Sequence, residues 1–417
     1  MNYLELAFEI KDYVKNHRNY LHQNPELTGK EWGTLQYIKN ELRYLGIPYE
    51  EVENGGIIGR IQGTKGKGHK IVLRADIDAL PIQESEYNLL KEKTSVSRTE
   101  NVSHMCGHDA HTAMLLGCAK VLKENVDKYS GEILLLFERG EELGFAVFPL
   151  LRYFEKKHPD ISAMFATHVK ADIDEGKFSA EPGFVMSGFI VYDVLLTGKG
   201  GHSSRPDNCN NPLDCFTNIY QNIEQIRMRY VPPAAYLTNS ISYVQCGTKS
   251  NVIPETCQFS GMTRFYNDTY AKPFRRELEN VIEKNAEMFH CDYQYGYIMG
   301  PTPGLYNNPS LSSHVKQSLI KTLGPEAVIQ GEPWMASESV SYYYLKYPGI
   351  MTFMGIRNEK EGYGADNHNI HFDLNPDSLY LGVAATLSYA VDYLNGDIPI
   401  EFKSTDLSIE DLEKTRS

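Results

Sequence analysis

Cysteine is scarce: the 417 residues hold seven, an odd number, and none forms a C-x-x-C pair. That excludes a disulfide scaffold and favours a reducing compartment. No apolar run approaches the ~20 residues that a membrane span requires. The longest, such as Ile133 to Phe137, suit a buried strand. The opening segment mixes charges into every few residues and lacks the apolar stretch of a signal peptide. The expectation is a soluble cytoplasmic protein with no membrane partner. Basic residues are outnumbered, 41 Lys and Arg against 54 Asp and Glu, for a formal net charge of −13. An acidic surface of that size argues against nucleic acid as a partner. No internal repeat, low-complexity tract, G-x-S-x-G elbow or P-loop is present. With 41% hydrophobic and 23% charged residues the chain is globular.

The hydrophobic pattern divides the chain. The first ~50 residues read as helical, with Thr34, Tyr37, Ile38, Leu42 and Leu45 on one face and Gly46 as the stop. Strand candidates follow at Ile71–Leu73, Ile133–Phe137 and Ala163–Ala166. A helix carrying Met114, Leu115, Cys118, Val121 and Leu122 lies between the first two. Strands alternating with helices predict an α/β domain with a mostly parallel sheet and flanking helices. Near Gly188 the order changes to β-α-β-β-α-β, the ferredoxin-like split unit. After Gly300 the first pattern resumes, with a strand over Ile350–Met354 and a closing helix from Pro376 to Leu394. The expectation is a catalytic domain of residues 1–187 and 300–417, interrupted by an inserted α+β domain of residues 188–299. The charged tail after Gly396 reads as loosely ordered.

Chemistry-bearing residues gather at the predicted strand ends. Ser103-His-Met-Cys-Gly-His-Asp-Ala-His111 places a thiol, three imidazoles and a carboxylate just before a helix. Cys106 and His108 suit zinc and similar metals; alone they fit a polar loop with a helix cap equally well. Glu141 and Glu142 follow an apolar strand, where one carboxylate can hold a metal and the other meet a water; alone they read better as a solvated acidic turn. His168 ends another strand and alone favours a packed core role. Asp76 and Asp78 are placed to orient ligands from behind. A late loop, Gly364-Ala-Asp-Asn-His-Asn-Ile-His371, offers two more imidazoles. The joint occurrence of these residues is what a two-metal site requires.

These segments resemble a known family. The residues 73–82 (LRADIDALPI), 105–113 (MCGHDAHTA), the Glu141-Glu142 pair, 167–169 (THV), 198–204 (GKGGHSS), 251–255 (NVIPE) and the late His loop resemble the amidohydrolase branch of the aminoacylase and carboxypeptidase type of co-catalytic metallohydrolases. That branch includes hippurate hydrolases, auxin-conjugate amidohydrolases and N-acetyldiaminopimelate deacetylases. The resemblance covers nearly the whole chain. It implies Cys106, His108, Glu142, His168 and His368 as ligands of two divalent ions, zinc first, with manganese, cobalt or nickel as alternatives. His371 is a rival for His368. It implies Glu141 as general base, His202 as a group stabilising the oxyanion, and Asn251 and Arg264 as substrate-binding residues. It makes the inserted domain both a lid and the surface of a homodimer. Departures from the family pattern are Glu338-Ser-Val for Glu-Asp-Phe, His368-Asn-Ile for His-Ser-Pro, and Asn375 in place of an acidic pair.

The implied reaction is hydrolysis of an N-acyl amino acid to a carboxylate and a free amino acid, with Glu141 activating a metal-bridging water. A di- or tripeptidase on the same scaffold is the alternative, although no obvious group for a free substrate α-amine is apparent. A metal-binding dimer without activity is opposed by the presence of Glu141. A thiol hydrolase with Cys106 as nucleophile would differ from all of these in being insensitive to chelators.

Overall fold

The computed structural model describes residues 1–416. The chain forms two compact units. The first comprises residues 1–183, 306–332 and 338–406; the second comprises residues 184–305, 333–337 and those from 407 onward.

The first unit is built on a seven-stranded sheet. In spatial order its strands are Tyr49–Val52, Gly56–Gln62, Glu132–Glu138, Lys70–Asp76, Ile161–Asp174, Gly349–Arg357 and Phe178–Ser179. The four central strands from Glu132–Glu138 to Gly349–Arg357 run parallel, and the pairings outside them are antiparallel. The mostly parallel description therefore fits the centre, and the margins make the sheet mixed. The centre is parallel because its strands are covered on both faces: all seven residues of Glu132–Glu138 are buried. Sequence reasoning overlooked Gly56–Gln62, whose opening Asn-Gly-Gly reads as a loop. Gly56 is required there, since a Cβ would lie 2.1 Å from the Phe137 carbonyl oxygen and φ is +139°.

Two strongly apolar helices, His108–Glu124 and Leu379–Asn395, pack together over the sheet. The first starts at Gly107, with φ +92° and a backbone so close to Val169 that a Cβ would meet its Cγ2 at 2.3 Å. This tight entry points the Cys106–His108 segment along the carboxyl ends of the parallel strands, where ligands of open α/β sheets bind. Among the described residues no helix is long and apolar enough to cross a membrane.

The second unit holds a four-stranded antiparallel sheet in the order Leu237–Cys246, Thr256–Phe265, Gly188–Thr197, Asp292–Met299. Helices Pro212–Tyr230 and Asp268–Met288 complete the β-α-β-β-α-β order. Alternation is clean in Thr256–Phe265, where Cys257, Phe259, Gly261, Thr263 and Phe265 are buried. Phe259 and Phe265 join Ile219, Ile223, Phe274 and Leu278 in one core. Burial of each such side chain contributes about 1.5–3 kcal/mol. The tail departs from expectation: Ile409–Glu413 is helical with Ile409 and Leu412 buried, and the Gly300 amide donates to the Thr415 carbonyl at 2.7 Å. Two apolar residues three apart, Ile409 and Leu412, supply the anchoring that the charged composition conceals.

Candidate metal centre

Five side chains from four segments of the first unit converge. Cys106 Sγ lies 3.7 Å from His168 Nε2 and 3.3 Å from His368 Nε2. Glu142 Oε1 lies 3.4 Å from His368 Nε2 and 4.0 Å from His108 Nε2. Cys106, His108 and His168 form one group of mutually close donor atoms, and Cys106, Glu142 and His368 form another, with the thiol common to both. The late loop is fastened to the Cys106 loop by two hydrogen bonds. The His368 amide donates to the Met105 carbonyl at 2.7 Å, and Asn367 Nδ2 donates to the Cys106 carbonyl at 3.1 Å. His368 adopts a left-handed φ of +70° to make this approach. His371 points elsewhere, with Nδ1 2.8 Å from the Tyr87 carbonyl oxygen. The structure thus brings His368, and not His371, to the cluster.

A second ring of side chains fixes the donors. His108 Nδ1 is 2.9 Å from the Asp78 carbonyl oxygen and 3.2 Å from Asp78 Oδ1. Asp78 also accepts from the amides of Glu141 and Glu142, at 3.1 and 3.2 Å, and from Thr28 Oγ1 at 2.6 Å. His168 Nδ1 is 2.7 Å from the Val169 carbonyl oxygen, which leaves Nε2 toward the thiol. His111 has both ring nitrogens engaged, Nδ1 with Asp76 Oδ1 at 2.6 Å and Nε2 with the Val169 amide at 2.9 Å. The third imidazole of the motif therefore braces the strand ends.

The electrostatics follow the packing. Burial pushes the Cys106 thiol up to about 12 in the absence of a cation. Burial, then the neighbouring His111, holds His168 well below the usual imidazole range, so it is a neutral ligand-capable ring. Burial would lower His108 as well, but Asp76 and Cys106 outweigh it and raise it. Burial, then the Glu338 and Glu142 carboxylates, lifts Glu141 well above the ordinary carboxyl range. Two polar atoms here are buried without a hydrogen-bond partner, His108 Nε2 and Glu142 Oε1. Buried polar atoms left unsatisfied in this way are costly unless something else satisfies them. A thiol, three imidazoles and a carboxylate constitute a donor set for borderline divalent metals, so the residues fit bound metal.

Sequence reasoning missed a buried charge network beside the acidic pair. Arg74 donates to Glu138 Oε2 and Asp76 Oδ2, both at 2.7 Å, and to Glu338 Oε1 at 3.0 Å. Tyr343 donates to Glu138 Oε1 at 2.7 Å. Ser339 joins this network to the candidate base: its hydroxyl accepts from Arg74 at 3.1 Å, and its amide donates to Glu141 Oε1 at 2.9 Å. The available signal was charge at the end of an apolar run, Arg74 directly after Ile71-Val72-Leu73 and Glu138 directly after Ile133–Phe137.

His202, Asn251 and Arg264 belong to the second unit. His202 and Asn251 are neighbours there. Val252 pairs with His202, and the Ser203 amide donates to the Asn251 carbonyl at 3.2 Å. His202 is exposed, its Nδ1 2.8 Å from Ser204 Oγ. Arg264 sits over the Phe189 ring at 5.6 Å, with Nη1 buried and lacking a hydrogen-bond partner.

Comparison with known proteins agrees with this chemistry. Residues 72–392 match the model of Peptidase family M20/M25/M40. An IAA-amino acid hydrolase, ILR1-like 2 of Arabidopsis thaliana, is 33% identical over 390 residues, 93% of this chain and 86% of that protein. Thermostable carboxypeptidase 2 of Saccharolobus solfataricus is 32% identical over 395 residues, 93% of this chain and 97% of its own. The solved structure of Bacillus subtilis YXEP, a dinuclear metal-binding peptidase of family M20, superposes with a TM-score of 0.77 at 24% identity, covering 93% of this chain and 99% of that one. The chain belongs to Peptidase family M20/M25/M40 and is a hydrolase of amide or peptide bonds.

Proposed function

We propose that the substrate is an N-acyl amino acid, cleaved to a carboxylate and a free amino acid. The observation that carries this reading is the five-donor cluster of Cys106, His108, Glu142, His168 and His368 with the Glu141 carboxyl beside it. The relative named for hydrolysis of an amino acid conjugate supports the substrate class. In this reading the five donors hold two divalent ions, zinc foremost. Bound metal lowers the pKa of water and polarises a carbonyl oxygen. Glu141 is the group that moves protons. Its Oε1 is occupied by the Ser339 amide, so Oε2 takes the proton from the attacking water and returns it to the leaving amine. A carboxyl raised by burial and by neighbouring carboxylates is suited to both steps.

Arg264 is proposed as the partner of the substrate carboxylate, on the strength of its unpaired buried Nη1. His202 is proposed to stabilise the oxyanion, with Asn251 beside it as a substrate contact. The second unit is further proposed as the homodimer surface, because it ends in unpaired strand edges. The carboxypeptidase relative favours peptides as a second substrate class. A panel of N-acyl amino acids and free-amine dipeptides, assayed after chelation and with zinc, manganese, cobalt or nickel restored, tests the reading. Turnover confined to N-acyl substrates and dependent on metal is expected. Preference for free-amine peptides, or full activity without metal, would overturn it.

A further inference from the structure

Four of the seven cysteines lie together in the second unit, and the hydrolase reading uses none of them. Cys246 and Cys257 stand directly opposite each other on antiparallel strands. Cys215, on the helix Pro212–Tyr230, and Cys291, the residue before the strand Asp292–Met299, are within hydrogen-bonding reach of each other. Cys257 adjoins both pairs, donating toward Cys246 and interacting with Cys215. All four are free thiols. Cys215, Cys257 and Cys291 are buried in the apolar core, and Cys246 is partly exposed at its margin. Among the described residues, every group of three or more converging metal-capable side chains lies in the first unit, so these thiols read as pairs.

The position of the first pair gives it a consequence. Cys246 and Cys257 close the neck of the loop that carries Asn251. Within that loop Val252 and Ile253 pair with His202 and Gly201. Directly opposed residues of an antiparallel pair have Cα atoms about 4.5–5.5 Å apart. A disulfide accepts about 4.4–6.8 Å, so the register of this pair is compatible with the link.

We propose that Cys246 and Cys257 are a redox-active pair that exchanges with small-molecule disulfides to close a cross-strand bond at the neck of this loop. Cys246, the accessible member, gives its proton to solvent and attacks one sulfur of a disulfide RSSR. A mixed disulfide Cys246–S–SR forms, and RS⁻ leaves and is protonated. Cys257, already directed at the Cys246 sulfur, then loses its proton, attacks that sulfur and expels the second RS⁻. Two protein thiols are oxidised to one disulfide, and RSSR is reduced to two RSH. The burial that raises the Cys257 thiol makes this second step the slow one.

The test equilibrates the full chain with mixtures of reduced and oxidised glutathione, blocks free thiols by alkylation and maps the peptides without reduction. The expected result is a peptide linked through Cys246 and Cys257 at the oxidised end, lost again in reduced glutathione. Amide exchange across residues 247–255 should slow several-fold in the linked form. In Cys246→Ser the link should be absent and Cys257 should remain a free thiol. These readouts are independent of catalysis, so failure of the hydrolase reading leaves them intact. Both thiols remaining free at equilibrium with oxidised glutathione would overturn the proposal. So would Cys246 arrested as a mixed disulfide, or a link confined to Cys215 and Cys291.

Discussion

His108 is held by Asp78: the Nδ1 atom of the ring lies 3.2 Å from Oδ1 of the carboxylate and 2.9 Å from the carbonyl oxygen of the same residue. Nδ1 is thereby committed to Asp78, and Nε2 is the ring nitrogen left without a hydrogen-bond partner, facing Asp76 and Glu142. The same carboxylate accepts from the amides of Glu141 and Glu142, so one residue sets the ring and the acidic turn together. Asp78→Asn keeps the shape but places an amide donor among donors. Metal affinity should fall about 10–100-fold, measured by competition with a chromogenic chelator.

The thiol is the donor common to both halves of the cluster. Cys106→Ser should therefore lower metal content at both positions, with elemental analysis of chelator-free protein giving one to two divalent ions per chain before the change. Removal of metal should abolish amide hydrolysis and expose Cys106 to oxidation. A chelated protein with full activity would instead point to Cys106 as a nucleophile.

Beneath the site, Glu84 is buried with Oε2 2.9 Å from Lys93 Nζ and 3.2 Å from His22 Nε2. Burial alone would raise its carboxyl; His22 and Lys93 outweigh that and hold it down to about 2. A depressed folded value means the stabilisation is present in full above the unfolded value near 4.5 and is lost as pH falls toward 2. Glu84→Gln removes the carboxylate that faces the buried Lys93 ammonium and leaves His22 with Asp109, 2.8 Å from Nδ1, alone; it should cost about 3 kcal/mol at neutral pH. In urea titrations the gap between the variant and the unaltered protein should narrow below about pH 5 and nearly close by about pH 2.

How far the site was legible in the sequence depended on which residues stand next to one another. Cys106 and His108 share a loop, Glu141 and Glu142 share a turn, and His168 ends an apolar strand, so each was visible locally. Arg74 lies more than 260 residues before Glu338 and Ser339, and no spacing rule joins it to them; only the fold sets Arg74 against Glu338. The choice between His368 and His371 was likewise undecidable from composition, because it turns on a backbone hydrogen bond from His368 to Met105. In the fold, apolar strands such as Glu132–Glu138 announced themselves by composition, whereas the antiparallel margin did not. Tyr49–Val52 reads Tyr-Glu-Glu-Val, and it folds back on Gly56–Gln62 through a short turn in which Asn54 takes a left-handed φ of +55°.

The homodimer reading makes its own prediction. The strand Leu237–Cys246 is an edge of its sheet, with Tyr243 and Val244 exposed. An edge with apolar side chains is a template for pairing with a second copy. Light scattering at micromolar concentration should give twice the chain mass, and Val244→Lys should shift the population to monomer. A strict monomer for the unaltered chain would remove the dimer without touching the hydrolase.

The sharpest test separates two adjacent carboxylates. Glu142 Oε1 is buried without a hydrogen-bond partner and lies within 4.0 Å of both His108 Nε2 and His368 Nε2. Glu141 also has a carboxylate oxygen close to His108 and Glu142, but its Oε1 is tied to the Ser339 amide, and the proposed role of its other oxygen is to carry the proton. Glu142→Ala should therefore lower metal content and rate together. Glu141→Gln keeps the shape and the hydrogen bond from Ser339 but cannot take a proton from water. It should retain metal and fold while kcat drops by at least ~10²-fold, about 3 kcal/mol of barrier, with KM changed far less. Both variants are compared by kcat and metal stoichiometry on an N-acyl amino acid turned over by the unaltered enzyme. Near-normal turnover in Glu141→Gln, with Glu142→Gln inactive and still metal-loaded, would reverse the two roles. If neither change lowered turnover, the acidic turn would be a solvated surface feature and the proton would have to be carried by another group.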